Sequence, residues 1–84
     1  MRTRLETQFI GRAMQIHAEG CYAITFFRPS TSNPVSVNGI ALEAGQSLSI
    51  KQNVGDEDYT TYEIVFYTGA ASNEMYVSRV LPFR

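Results

Sequence analysis

The stretch Tyr59-Thr60-Thr61-Tyr62-Glu63-Ile64-Val65-Phe66-Tyr67 decides the fold. It is rich in aromatic and β-branched residues and has a period of two. Tyr62, Ile64 and Phe66 fall on one side of an extended chain; Thr61, Glu63, Val65 and Tyr67 fall on the other. Val65 and Tyr67 make the second side partly apolar as well, which predicts a strand covered on both faces.

Working outward, the same period recurs between turn signals. Downstream, Thr68–Asn73 is a turn, Met75–Val80 a last strand, and Leu81-Pro82-Phe83-Arg84 an extended tail set by its proline. That tail either folds back on its own sheet or reaches a neighbour. Upstream, Val54-Gly55-Asp56-Glu57-Asp58 is a polar loop and Ser47-Leu48-Ser49-Ile50-Lys51 alternates cleanly. Glu43-Ala44-Gly45-Gln46 is a turn in which Gly45 supplies the left-handed position. Val35-Ser36-Val37 and Ile40-Ala41-Leu42 flank Asn38-Gly39, the signature of a type I′ hairpin. Pro29-Ser30-Thr31-Ser32-Asn33-Pro34 is the clearest loop. Cys21–Phe27 is a strand with Tyr22, Ile24 and Phe26 on one face. Residues 10–19 read as a strand or a short helix, bounded by Gly11 and Gly20, and Leu5, Thr7 and Phe9 share a face before them. About seven short strands separated by turns predict an all-β fold: a small antiparallel β-sandwich or barrel forming one domain over residues 1–84.

Size and charge narrow the function. At 84 residues and 44% hydrophobic content, area scaling gives a folded surface of about 5,000 Å² and burial of about 63% of the unfolded surface, a marginal value. The one Cys, Cys21, has no disulfide partner within the chain, and one Cys with one His makes a zinc site improbable. Seven basic residues are balanced by eight acids, and all but Lys51 are dispersed Arg, so nucleic-acid binding is disfavoured. No apolar run approaches the roughly 20 residues of a membrane span. Met1–Leu5 carries two Arg and no apolar run, so no secretory signal is expected. No Asn-x-Ser/Thr sequon occurs. Residues 1–28 are net basic and residues 29–58 net acidic. That is either an ordinary solvated surface or a dipolar subunit whose basic end meets a neighbour's acidic end.

Chemistry is sparse. His17 and Cys21 are the only candidates for a nucleophile–base pair, and Gly20 between them argues against one regular element that would align them. No phosphate-binding glycine loop or nucleophile elbow is present. No metal site is expected; Asp56 and Asp58 are the nearest to one, a carboxylate pair beside Gly55 that lacks the remaining calcium-loop ligands. No cofactor is expected. Phe9, Tyr22, Phe26, Tyr62 and Phe66 sit at periodic core positions, whereas Tyr59, Tyr67, Tyr76 and Phe83 suit either sugar stacking or a protein interface.

Residues 34–66 resemble small structural proteins of tailed bacteriophages, above all those of Bacteroidetes phages including the crAss-like group. The likeness lies in Val37-Asn38-Gly39-Ile40-Ala41-Leu42-Glu43-Ala44-Gly45-Gln46-Ser47, then the acidic loop, then Tyr62-Glu63-Ile64-Val65-Phe66. Ala44 stands where that pattern commonly has Pro. The resemblance implies a β-sandwich acting without catalysis as a virion component, made in the bacterial cytoplasm. The role expected is a capsid decoration, vertex, connector or tail-associated subunit that assembles with copies of itself and with other virion proteins. No nucleic acid, membrane or small-molecule substrate is implied. The expected assembly contacts are Arg2, Tyr76, Leu81, Phe83 and Arg84. The alternative is a small carbohydrate-binding β-sandwich that uses exposed Tyr residues.

Overall fold

A computed structural model describes residues 3–82. The described residues contain no helix. They form β1 (Thr3–Ile10), β2 (Met14–His17), β3 (Ala23–Phe27), β4 (Val35–Val37), β5 (Ile40–Leu42), β6 (Ser47–Lys51), β7 (Thr61–Phe66) and β8 (Met75–Pro82). Two four-stranded antiparallel sheets result, sheet A in the order β1-β8-β3-β6 and sheet B in the order β2-β7-β4-β5. The expected small all-β sandwich is what the chain forms, and its surface of 5183 Å² matches the area scaling.

The ambiguous segment resolves to a strand. Met14 and Ile16 point inward while Gln15 and His17 face water, a half-buried alternation that costs no helical propensity to satisfy. It ends at a two-residue turn in which Glu19 and Gly20 both have positive φ, 61° and 76°, closed by Cys21 N–H donating to the Ala18 carbonyl at 3.2 Å. The hairpin expected at Asn38-Gly39 has the matching pair of φ values, 49° and 82°, as a type I′ turn requires. The Asn38 side-chain oxygen also accepts the Glu63 N–H at 2.7 Å, which ties this hairpin to β7. The proline-flanked loop is anchored by Asn33, whose side chain bonds the Ala71 carbonyl, the Ala71 N–H and Asn73.

The core lies between the sheets. Ile10, Ile24, Phe26, Met75, Val77 and Leu81 come from sheet A; Ile16, Val35, Val37, Leu42, Tyr62 and Ile64 come from sheet B. Phe26 and Tyr62 meet edge to face across the gap with centroids 5.1 Å apart.

Two face assignments are corrected. The outer side of β7 is covered only towards its C-terminal end: Thr61 and Glu63 are exposed, whereas Val65 is half-buried beside Ser36, which is 2% exposed and bonded by the Tyr67 hydroxyl at 3.3 Å. On β1, Leu5, Thr7 and Phe9 point to solvent, with Leu5 70% and Phe9 55% exposed, while Glu6, Gln8 and Ile10 face the interior. The cause is on the neighbouring strand. β8 turns Met75, Val77 and Leu81 into the core, and a period of two carries Arg79 in with them, to 3% exposure. A buried guanidinium must be paired. Arg79 donates to the His17 carbonyl at 2.9 Å and to Gln8 Oε1 at 3.0 Å, with Glu6 at 3.5 Å and Glu19 at 3.9 Å. β1 supplies two of those partners, so its polar side faces inward.

Arg79→Ala should cost about 3 kcal/mol in urea unfolding, from the void and the orphaned His17 carbonyl and Gln8 amide. Glu6→Gln should cost under about 1 kcal/mol, because that carboxylate is half in water. Equal losses in the two variants would mean that the ion pair, rather than the neutral hydrogen bonds, holds Arg79.

Candidate functional site

The outer face of sheet A is built from alternate residues of β1, β8, β3 and β6, and the register places them in three cross-strand rows. One row runs Phe9, Tyr76, Phe27, Ser47; the next Thr7, Ser78, Thr25, Ser49; the third Leu5, Val80, Ala23, Lys51. The first is aromatic, the second hydroxylic and the third aliphatic, and Lys51 is the only charge among the twelve residues. Tyr76 and Phe27 are 42% and 39% exposed. Phe9 and Tyr76 stand edge to face at 5.4 Å and 61°. Within the hydroxyl row, Thr25 and Ser49 bond at 3.0 Å.

Beside the aliphatic row lies a groove of about 290 Å³. It is lined by Thr3, Tyr22, Ala23, Lys51, Val80 and the Gln52–Gly55 loop, in which Val54 is fully exposed. Its walls are almost wholly apolar. Sheet B contrasts with this. Over β2 and the start of β7 its outer residues are Gln15, His17, Thr61 and Glu63, a hydrated surface. An apolar face on one side of a small sandwich is the feature that marks interaction sites.

Of the expected assembly residues, Tyr76 sits at the centre of the aromatic row. Leu81 is 3% exposed and belongs to the core, so it cannot touch a partner; it lies on the same side of β8 as Met75 and Val77. Arg2, Phe83 and Arg84 lie outside the described residues. Phe9, Phe27, Leu5 and the groove were missed. Phe9 and Leu5 carry a period-two signal that reads as a core stripe, and only the pairing with Arg79 turns that side of β1 outward.

His17 is exposed, with Nδ1 3.1 Å from Thr61 Oγ1, whereas Cys21 is buried. Burial, then the negative Asp58 nearby, pushes the Cys21 thiol up, so it is protonated at neutral pH and a poor nucleophile. Asp56 is exposed in its loop, but Asp58 is 5% exposed. It accepts Thr60 N–H at 2.8 Å and the Tyr62 hydroxyl at 2.5 Å, and its backbone pairs with Cys21 and Gly20. The two carboxylates do not form a joint site. No cluster of three His, Cys, Asp or Glu able to hold a metal occurs among the described residues. Tyr22 lines the groove, and Phe26 and Tyr62 are core as expected.

No protein-family model, curated protein or solved structure matches the chain.

The Asp58–Tyr62 bond makes the fold's stability depend on pH at both the acid and the alkaline end. Burial raises the Asp58 carboxyl, but hydrogen bonds from Thr60 and Tyr62 outweigh it and leave the group below its ordinary value. Its contribution is therefore complete above the unfolded value of about 3.9 and is lost as pH falls through the lowered folded value. Burial and the bond to Asp58 push Tyr62 up to about 12 from 10.0. The protonated phenol is favoured in the fold, so its contribution is complete below pH 10.0 and disappears towards about 12. Tyr62→Phe should cost about 1.5–3 kcal/mol at neutral pH and remove this alkaline loss. A stability–pH curve unchanged above pH 10 in that variant would show that Tyr62 does not set the limit.

Proposed function

We propose that this chain is a non-enzymatic structural subunit of a bacteriophage particle that works by assembling with copies of itself and with other virion proteins. The single observation that supports assembly is the outer face of sheet A, where Leu5, Phe9, Phe27 and Tyr76 are all at least 39% exposed on one surface. A marginally buried domain gains stability when such a face is covered. The particle itself is suggested by the resemblance of residues 34–66 to tailed-phage structural proteins. On this reading the subunit is made in the bacterial cytoplasm and ends up in the virion, and it needs no cofactor.

The same face supports a second reading, a carbohydrate-binding module, because exposed aromatics beside hydroxyls suit sugars. Against it stands the ring geometry: at 61° between Phe9 and Tyr76 the two offer no flat platform on which successive sugar rings would stack.

Two measurements separate these readings. Light scattering across a concentration series should show self-association in the wild type. Phe9→Asp and Tyr76→Asp should strongly weaken it while leaving the melting temperature within about 2–4 °C, because both residues face water. Mass spectrometry of density-purified phage particles should find the chain among the virion proteins. A strict monomer that is missing from particles and retained on a glycan array would replace the structural reading with the sugar-binding one.

A further inference from the structure

We infer that the partner on sheet A is a second copy docked face to face with its strands reversed, so that the aromatic row of each copy sits on the aliphatic row and groove of the other; this rests on the assembly reading above. The face is uneven along the strand direction. At one end Phe9, Tyr76 and Phe27 protrude; at the other, only Leu5 on the edge strand β1 protrudes, while Val80 and Ala23 are small and half-buried and the groove of about 290 Å³ opens beside them. Between the two ends lies the hydroxyl row.

A closed dimer needs a two-fold axis, and when the strands of the two copies lie along one line that axis has two orientations in the plane of the face. An axis running across the strands, along the hydroxyl row, lays Phe9 over the partner's Leu5, Tyr76 over its Val80, and Phe27 over its Ala23 and groove. Each match is made twice. An axis running along the strands lays rings on rings and groove on groove. That leaves two apolar hollows facing each other, and a void of that kind forfeits the dispersion contacts of its lining. It also sets the ammonium of Lys51 against Leu5. In the reversed arrangement Lys51 meets Ser47 at the rim, where its stem can lie on the surface and its charge can stay in water.

The area is sufficient. Four strands about 4.8 Å apart and about six residues of ~3.3 Å each give a face of roughly 19 by 20 Å. Two such faces approach roughly 800 Å² in projection, and the relief of the rings and groove carries the buried area to the ~1,000 Å² a specific interface needs. The facing hydroxyls are each donor and acceptor, so the central row can pair with its own copy without stranding a polar group.

Cross-linking decides the geometry. Thr7 and Ser49 lie on the two edge strands of the face. In the reversed dimer each is opposite its own counterpart, so Thr7→Cys and Ser49→Cys should each give a covalent dimer with a short bis-maleimide. In the strand-aligned dimer Thr7 faces Ser49, and only an equal mixture of the two variants cross-links. Cys21 is fully buried, so the unmodified chain serves as the blank. Tyr76→Asp should weaken dimerisation about 30-fold or more, as loss of a central aromatic contact does. Efficient cross-linking of both single variants supports the reversed dimer. Cross-linking of the mixture alone, or of nothing while the chain remains dimeric, overturns the geometry and leaves the assembly reading standing. A wild-type chain that sediments as a monomer at every concentration overturns both.

Discussion

The burial of Arg79 is the constraint on which the rest depends. β8 pairs with both β1 and β3, and its alternation is set by three core residues, Met75, Val77 and Leu81. Nothing can rotate Arg79 out without rotating those three out as well. The guanidinium then recruits what it needs from both sheets: the His17 carbonyl from β2, and Glu6 and Gln8 from β1. The bond to His17 couples the sheets where the sandwich runs out of apolar side chains. The bonds to β1 decide which side of that strand faces inward. Leu5 and Phe9 are outside because Glu6 and Gln8 are required inside, so the exposed face follows from a satisfied buried charge.

This explains which parts of the fold were legible in the sequence. Turns were, because their chemistry is local: Asn38-Gly39 and Gly45 adopt the positive φ values that their residue types favour. Strands with one strongly apolar side were too, as with Tyr62, Ile64 and Phe66 on β7. β1 was legible as a strand but not as to its faces. Leu5, Thr7 and Phe9 look more like a core stripe than Glu6, Gln8 and Ile10, and the deciding partner lies 73 residues away. Residues 14–17 could not be settled locally either, since Met14 and Ile16 needed β7 beside them to become a strand.

The site was harder to read than the fold for a related reason. An assembly face is a property of register between strands distant in sequence, and its aromatic row draws Phe9, Tyr76 and Phe27 from three of them. Tyr76 falls off the core period of its own strand and stood out; Phe27 falls off its strand's period too but ends that strand beside a loop, and Phe9 reads as core. The stretch that resembles phage structural proteins supplies β4, β5, β6 and β7, most of sheet B and one edge of sheet A. The face is made largely by strands outside that stretch.

The composition of that face bears on how strongly it can bind. If about 300 Å² of apolar surface leaves water on each copy, the gross gain is roughly 15 kcal/mol. Ordering two free molecules costs roughly 4–15 kcal/mol. The two are of the same order, so a lone pair of copies associates modestly, and a face of this size is effective chiefly where local concentration is already high. The hydroxyl row is consistent with that regime. Thr7, Ser78, Thr25 and Ser49 keep the middle of the face wetted in the free subunit, and Thr25 and Ser49 already bond each other. A continuous apolar band across these strands would bind harder, but it would also expose an aggregation-prone surface before assembly. Splitting the face into an aromatic end and an aliphatic end lowers that hazard. It also gives the face a direction, because each end is complementary to the other end of a partner and not to itself.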